Sequence, residues 1–296
     1  MNNTIKKEQE YEAFRDKILQ AVIQYYPDEY MIDIKKVDKL NGVSLYGINI
    51  REQDNRICPT IYLERFFEMY ENGTAFSTVF KELTQAYEEH KQTEDLSVDF
   101  FCDYDKVRER LGIKLINTGL NSRLLEDVPH RTFSDLAIVC IAQVEIKGDL
   151  NGSILIHNSH VNMWGIDADK LIDDAMENAE RISAPRMNRL SDVLKFPIDE
   201  PCNMYILSNK NQHCGASVIT YPSLLKGIGE SLDCDYYVLP SSIHEVIIFP
   251  GNIKGDVQNI NSMIRSINSE MLIPEEILSD HAYYYNRNEE KLISIA

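Results

Sequence analysis

The sequence has no close pair of cysteines and no long apolar run. Its six cysteines are spread over 296 residues, and the CxxC spacing of zinc sites is absent. Most of them lie in apolar runs such as "AIVCIAQV", where free thiols fill core space in a reducing cytosol. No stretch of about 18 apolar residues is present to span a membrane. The N-terminal "MNNTIKKEQEYEAF" lacks the apolar core of a secretory signal, so we expect a cytoplasmic location.

Basic residues are also fewer than acidic residues. Lysine and arginine number 30 against 47 aspartate and glutamate, which gives a net charge of -17. Such a field repels phosphate, so the sequence predicts neither direct nucleic-acid binding nor docking to an anionic membrane. Solubility explains the acidity most simply. The alternatives are an acidic face for a basic protein partner and a mimic of nucleic acid, and the scattering of carboxylates among lysines argues against the mimic.

Hydrophobic periodicity predicts the elements of the first two thirds. We expect a helix over 8–26 and strands over 31–37 and 43–50 joined at Asn41-Gly42. Residues 59–90 are expected to form a helical hairpin, or one helix broken at Gly73. Strands are predicted over 112–119, 135–145 and 152–157. A helix with Asp167 as its N-cap follows, and a shorter helix through Leu190 and Leu194 is predicted between Pro185 and Pro197.

The last third of the sequence is predicted to form one compact unit. Strands are expected over 202–207, 235–239 and 245–249 and in "HAYYYN" and "KLISIA", with helices over 224–232 and from about 256. Residues 215–219 are predicted to form either a return strand or the approach to a helix. Strands interleaved with helices predict an α+β fold, with mostly antiparallel sheets, packed helices and two α/β subdomains. The predicted regions are a mainly helical 1–95, an α+β 96–200 and an α+β unit at 201–296.

The first candidate site is the centre of "YYVLPSSIHEVIIFP", residues 236–250. Its Ser241, Ser242, His244 and Glu245 supply hydroxyls, an imidazole and a carboxylate, the groups of nucleophilic catalysis. If His244 opens a strand, side-chain alternation places it on one face with Ser242 and apart from Glu245. The alternative is a polar turn between two strands, and it is favoured because no GxSxG elbow or glycine-rich oxyanion turn is present.

The second candidate site is "HNSHVNMWGIDAD". His157 and His160 could share a metal ion with Asp167 or Asp169. This segment lies where a strand passes into a helix, however, and polar residues normally cap helices there. Capping is therefore the favoured interpretation, with Trp164 covering the core.

The third candidate site is the pair His213-Cys214, in which a thiol precedes a helix start that would lower its pKa. Its apolar neighbourhood favours burial instead. P-loop, dinucleotide, kinase, zincin and EF-hand patterns are absent, and Gly227-Ile228-Gly229 lies in a predicted helix. No cofactor is therefore predicted.

Several segments carry a family resemblance: "MYILSNK", "DYYVLPSSIHEVIIFP", "PEEILSDHAYYYNR", "FSDLAIVCIAQV" and "NGSILIHNSHVNMWGID". Together they resemble an uncharacterised family of Gram-positive bacteria, named only as a domain of unknown function and often carried near mobile elements. The order of elements is also similar to a second uncharacterised family. The resemblance covers most of the chain and supplies no catalytic motif.

Two classes of function follow from the sequence. The first is a non-enzymatic interaction or regulatory protein with an acidic surface and a protein partner. A more specific version of this hypothesis is an inhibitor of a nucleic-acid enzyme of the host or of a mobile element. The second is a small hydrolase using Ser242 and His244, or a metal-dependent enzyme using His157 and His160. The absence of a complete catalytic pattern favours the first class.

Overall fold

The computed structural model describes residues 2–53, 58–91, 99–145, 151–193, 204–240, 242–251 and 257–296. The chain divides into a smaller unit, residues 1–39 and 43–97, and a larger unit, residues 40–42 and 98–296. Helices pack with antiparallel sheets in both units, which confirms the predicted α+β class. No helix in the described ranges has the length and apolar character needed to cross a membrane.

The described residues of the smaller unit form three helices and a three-stranded antiparallel sheet of order β1-β2-β3. Its core joins Phe14 and Ile18 of the first helix to Ile48 of the sheet and Leu83 of the third helix. The elements in chain order are α1 (Asn2–Tyr25), β1 (Tyr30–Asp38), β2 (Ser44–Glu52), β3 (Thr60–Tyr62), α2 (Glu64–Glu71) and α3 (Phe76–His90).

The helical prediction for residues 59–73 is wrong at its start. Thr60–Tyr62 forms β3, which pairs with Gly47–Asn49 of β2. Thr60 and Ile61 are β-branched and favour an extended chain once a partner strand is available. The predicted break between the two helices is confirmed, because Gly73 takes a φ of 90° that favours glycine.

The larger unit contains ten strands and seven α-helices among its described residues, with short 3-10 helices at 40–42, 99–102, 215–220 and 274–276. Its first elements are α4 (Tyr104–Arg108), β4 (Leu111–Asn117), α5 (Ser122–Leu125), β5 (His130–Phe133), β6 (Leu136–Glu145), β7 (Asn151–Leu155), α6 (Asn158–Trp164) and α7 (Ala168–Ile182). The remaining elements are β8 (Pro185–Arg189), α8 (Leu190–Val193), β9 (Tyr205–Asn209), α9 (Leu224–Leu232), β10 (Tyr236–Pro240), β11 (Val246–Pro250), α10 (Val257–Met271), β12 (Tyr283–Asn286) and β13 (Lys291–Ser294).

Two antiparallel sheets organise this unit. In the four-stranded sheet, β6 pairs with β4 on one side and with β5 and β7 on the other. The six-stranded sheet has the order β13-β12-β10-β11-β9-β8. One core connects them, with Leu115 and Cys140 from the first sheet, Leu171 from α7, and Val238 and Tyr283 from the second.

The predicted helix between Pro185 and Pro197 is mostly wrong. Residues 185–189 form β8, which pairs with β9, and only Leu190–Val193 is helical. Leu194 and Pro197 lie outside the described residues. Because β8 is an edge strand, Pro185 is tolerated there without loss of a central ladder bond. The sheet therefore takes strands from both sides of residue 200, and the division into three regions stays a prediction.

Candidate functional site

Ser242 and His244 lie in the turn between β10 and β11. The Ser242 N–H donates to the Glu245 carbonyl at 3.1 Å, and the His244 backbone N–H donates to the Ser242 hydroxyl oxygen at 3.0 Å. Ser241 lies outside the described residues. The Ser242 oxygen thus faces main chain rather than the imidazole, which is the arrangement of a polar turn.

The His244 ring contacts residues from two distant segments. Its Nδ1 accepts a hydrogen bond of 3.2 Å from the Cys214 backbone N–H, and its Nε2 lies 3.4 Å from Glu276 Oε1. The His213 and His244 ring centroids are 5.5 Å apart. The structure thus joins the first and third candidate sites, and adds a carboxylate that no local pattern indicates.

The 209–215 loop holds this arrangement in place. Cys214 has a left-handed φ of 52°. Asn209, which is 2% exposed, accepts from the His213 N–H at 3.3 Å and donates to the His213 carbonyl at 2.8 Å. Ser208 donates to the His244 carbonyl at 2.8 Å. Side-chain bonds to the main chain therefore fix both loops against each other.

Burial shifts the pKa values of two members of this cluster, Cys214 and His213. It raises the pKa of the Cys214 thiol, despite an opposing effect of Lys114. Burial also lowers the pKa of His213, and the neighbouring His244 lowers it further. A thiol held neutral is a poor nucleophile, because the thiolate is the reactive form. Cys214 is therefore not activated as a nucleophile.

A small cavity lies beside the same residues. It has a volume of about 20 Å³ and is lined in part by Gln143, Ser183, His213 and Cys214. That volume admits one water-sized molecule. The His213 Nε2 atom is buried and has no hydrogen-bond partner in the described part of the chain. A single small polar molecule fits here, and an organic substrate does not.

His157 and His160 lie at the start of α6, where they cap it. His157 is the N-cap and its Nδ1 lies 2.8 Å from Asp127 Oδ2, while its backbone N–H donates to His160 Nδ1 at 3.0 Å. Trp164 donates its indole N–H to the Phe101 carbonyl at 2.8 Å. The described residues contain no group of three or more potential metal ligands. Both imidazoles thus have structural partners, and the metal site stays a prediction.

A third histidine cluster has no signal in the sequence. His281 is 7% exposed. Its Nε2 lies 2.8 Å from Ser294 Oγ and 3.2 Å from Asp135 Oδ2, and its Nδ1 lies 2.9 Å from Asp280 Oδ1. Tyr283 donates its hydroxyl to Asp135 at 3.0 Å. These distances match the hydrogen bonds of a Ser–His–Asp triad.

The third cluster nevertheless differs from a triad at one atom. A catalytic serine must give its proton to an unprotonated Nε2, yet here Asp135 also lies within contact of Nε2. In a triad the carboxylate lies at Nδ1 and only the serine contacts Nε2, whereas here Asp280 lies at Nδ1 and Asp135 competes with Ser294 for Nε2. The arrangement fits a buried clamp between the β5–β6 loop and β13 better than an acylating serine.

A row of carboxylates follows the exposed side of α7. Asp169, Asp173, Glu177 and Glu180 are all exposed, at spacings of four, four and three that place them on one face. Arg131 lies 3.7 Å from Asp169 Oδ1 and 2.9 Å from Asp173 Oδ1, whereas Glu177 and Glu180 form no ion pair or hydrogen bond with the described residues. The two glutamates at the C-terminal end of the row are therefore the acids without a basic partner in the described part of the chain.

The comparisons with known proteins add a family to this geometry. A family model described as a family of unknown function, DUF5688, matches residues 11–287. The chain belongs to this family. No curated protein and no solved structure matches it. Membership in DUF5688 confirms the predicted resemblance to a family of unknown function and assigns no activity.

Proposed function

We propose that this DUF5688 member is a cytoplasmic, non-enzymatic binding protein that recognises a basic protein partner through its acidic surface. The carboxylate row on α7 carries the proposal. Four exposed acids lie on one face of this helix; Asp169 and Asp173 share Arg131, and Glu177 and Glu180 have no cation of their own among the described residues. A partner that presents lysine or arginine would supply the missing charges, and the overall charge of -17 would speed its approach.

A narrower form of the proposal concerns the partner. A row of carboxylates can occupy the basic groove of an enzyme that acts on nucleic acid, because such grooves are built to bind phosphates. An inhibitor of a host or mobile-element nucleic-acid enzyme would suit the Gram-positive, mobile-element setting that the family resemblance implies. Competition between this protein and DNA for the captured partner tests this form.

The experiment compares capture by two charge variants. Immobilised wild-type protein is exposed to lysate beside Glu177→Gln/Glu180→Gln. The control is Glu8→Gln/Glu12→Gln, two exposed acids on α1. We expect a protein that is retained by wild type and control, lost from the α7 variant, and released as salt rises towards about 1 M, where the Debye length is near 3 Å. Equal retention by all three proteins would contradict the proposal.

The enzymatic alternative keeps its two forms, a hydrolase using His244 and Ser242 and a metal-dependent enzyme using His157 and His160. It has weaker support. The Ser242 oxygen accepts a hydrogen bond from main chain, and Nδ1 of each α6 histidine already has a partner. Metal content of the purified protein, compared with that of His160→Ala, tests the second form directly.

A further inference from the structure

An apolar cleft lies at the C-terminal end of α7, next to the carboxylate row. Its volume is about 430 Å³, within the range of pockets that bind ligands. The walls come from α7, β8, β9 and α9, and its apolar lining includes Pro185, Met187, Leu207, Leu224 and Ile228. Glu180, the last acid of the row, also lines it. Cleft and row therefore form one continuous surface.

The electrostatics of this surface favour a cation at the cleft mouth. Glu180 is the one charged side chain among the described lining residues. The C-terminus of the 15-residue α7 adds the partial negative charge of a helix end. Arg181 donates to the Asn178 side chain at 3.0 Å, and strand alternation points Arg186 away from the face that carries Pro185 and Met187.

A second cleft provides a contrast. It has a volume of about 370 Å³ and shares Tyr221 with the first, but its lining carries Lys226 and Lys291 together with Glu290. Lys226 and Glu290 form an ion pair of 2.6 Å. A basic partner would be repelled there, so the cleft beside Glu180 is the one that matches it.

We infer that the cleft beside Glu180 takes up an apolar side chain of the basic partner, while lysine or arginine residues on either side of that side chain contact Glu180 and Glu177. The inference rests on the proposed function and adds the form of the recognised segment, an apolar anchor between basic residues. Charge brings the segment to α7, and burial of the anchor selects it from other basic sequences.

Gly227 allows the cleft to be blocked without harm to the fold. It lies in α9 and lines the cleft, and a Cβ atom added there meets no atom within 4 Å. Leucine at this position would extend into the cleft, and leucine favours a helix more than glycine does. Gly227→Ala is the matched control, because it makes the same backbone change and leaves most of the cleft open.

The probe is a fluorescein-labelled peptide, Lys-Lys-Trp-Lys-Lys, measured by fluorescence anisotropy beside Lys-Lys-Gly-Lys-Lys. We expect the tryptophan peptide to bind wild type and Gly227→Ala alike. Replacement of its tryptophan by glycine, or Gly227→Leu in the protein, should each weaken binding about tenfold or more. The variant Glu177→Gln/Glu180→Gln should weaken both peptides.

Failure of this inference is distinct from failure of the proposed function. If Gly227→Leu binds the tryptophan peptide as wild type does while the charge variant loses it, the row binds basic partners and the cleft inference is overturned. If neither variant changes binding, or if no peptide binds at low salt, both proposals are overturned.

Discussion

The backbone N–H of Cys214 donates a hydrogen bond of 3.2 Å to Nδ1 of His244. With Nδ1 as acceptor, a neutral ring carries its proton on Nε2, the atom that lies 3.4 Å from Glu276 Oε1. The imidazole thereby links the Cys214 loop to the β10–β11 turn and to the segment after α10. This role uses both ring nitrogens and leaves neither for Ser242.

Replacement of His244 by alanine should therefore lower stability. The substitution removes the acceptor of the Cys214 N–H. Cys214 is 2% exposed, and an unsatisfied buried donor costs about 1–3 kcal/mol. The free energy of unfolding in urea measures the effect. His244→Asn, whose side-chain oxygen can accept the same bond, should recover part of the loss. Unchanged stability in His244→Ala would show that the bond does not hold the loop.

Gly215 should tolerate no side chain. A Cβ atom there would lie 2.5 Å from the His244 carbonyl oxygen and 2.7 Å from the Asn209 nitrogen, and neither main-chain atom can move without disturbing its strand or turn. We expect Gly215→Ala to cost about 3 kcal/mol in urea unfolding, the upper end for overpacking. Gly227→Ala, in open space on α9, should instead stabilise by about 0.5–1 kcal/mol. Equal effects would contradict the close approach.

The sequence predicted those elements whose signals are local. The strands over 236–240 and 246–250 have short apolar runs and a polar turn between them, and α7 has its N-cap, with Asp167 accepting from the Lys170 N–H at 2.7 Å. Strands β3 and β8 were predicted as helix because their extended form depends on partners, Gly47–Asn49 and Tyr205–Asn209, that no local pattern supplies. Tertiary pairing overrides propensity at such edges.

The histidine clusters also depend on contacts that the local sequence does not reveal. Ser242 and His244 are neighbours in sequence, yet the turn points the serine oxygen at main chain. His281, Asp135 and Ser294 lie in three separate segments. The pairing of β12 with β13 brings His281 close to Ser294, and the β5–β6 loop places Asp135 beside them. Sequence spacing reveals a constellation only when its members share one element. The acidic row on α7 lies within one helix, yet it was not predicted, because its carboxylates were interpreted as scattered among lysines.

Stability should fall in mild acid, in part because of His213. Burial, and then the nearby His244, lower the pKa of His213 in the folded protein. The unfolded chain, with a pKa of about 6.5, then binds more protons as the pH falls, so this residue's contribution to stability is lost below about pH 6.5. The free energy of unfolding should drop more between pH 7.5 and 5 in wild type than in His213→Gln. His160, whose pKa is also lowered, is present in both proteins and cancels. Equal drops would exclude His213 as a source of the acid sensitivity.

Ser294 should not react as a nucleophile, although its Oγ lies 2.8 Å from His281 Nε2. Asp135 Oδ2 lies 3.2 Å from the same nitrogen, so Ser294 shares with a carboxylate the nitrogen that a general base would use to take its proton. A fluorophosphonate probe should therefore leave the wild-type protein unlabelled, and Ser294→Ala should change only stability, by about 1 kcal/mol. Ser279→Ala, which alters the hydroxyl 3.3 Å from His281 Nδ1, is the control. Labelling that disappears in Ser294→Ala and persists in Ser279→Ala would instead identify an acylating serine and revive the enzymatic alternative.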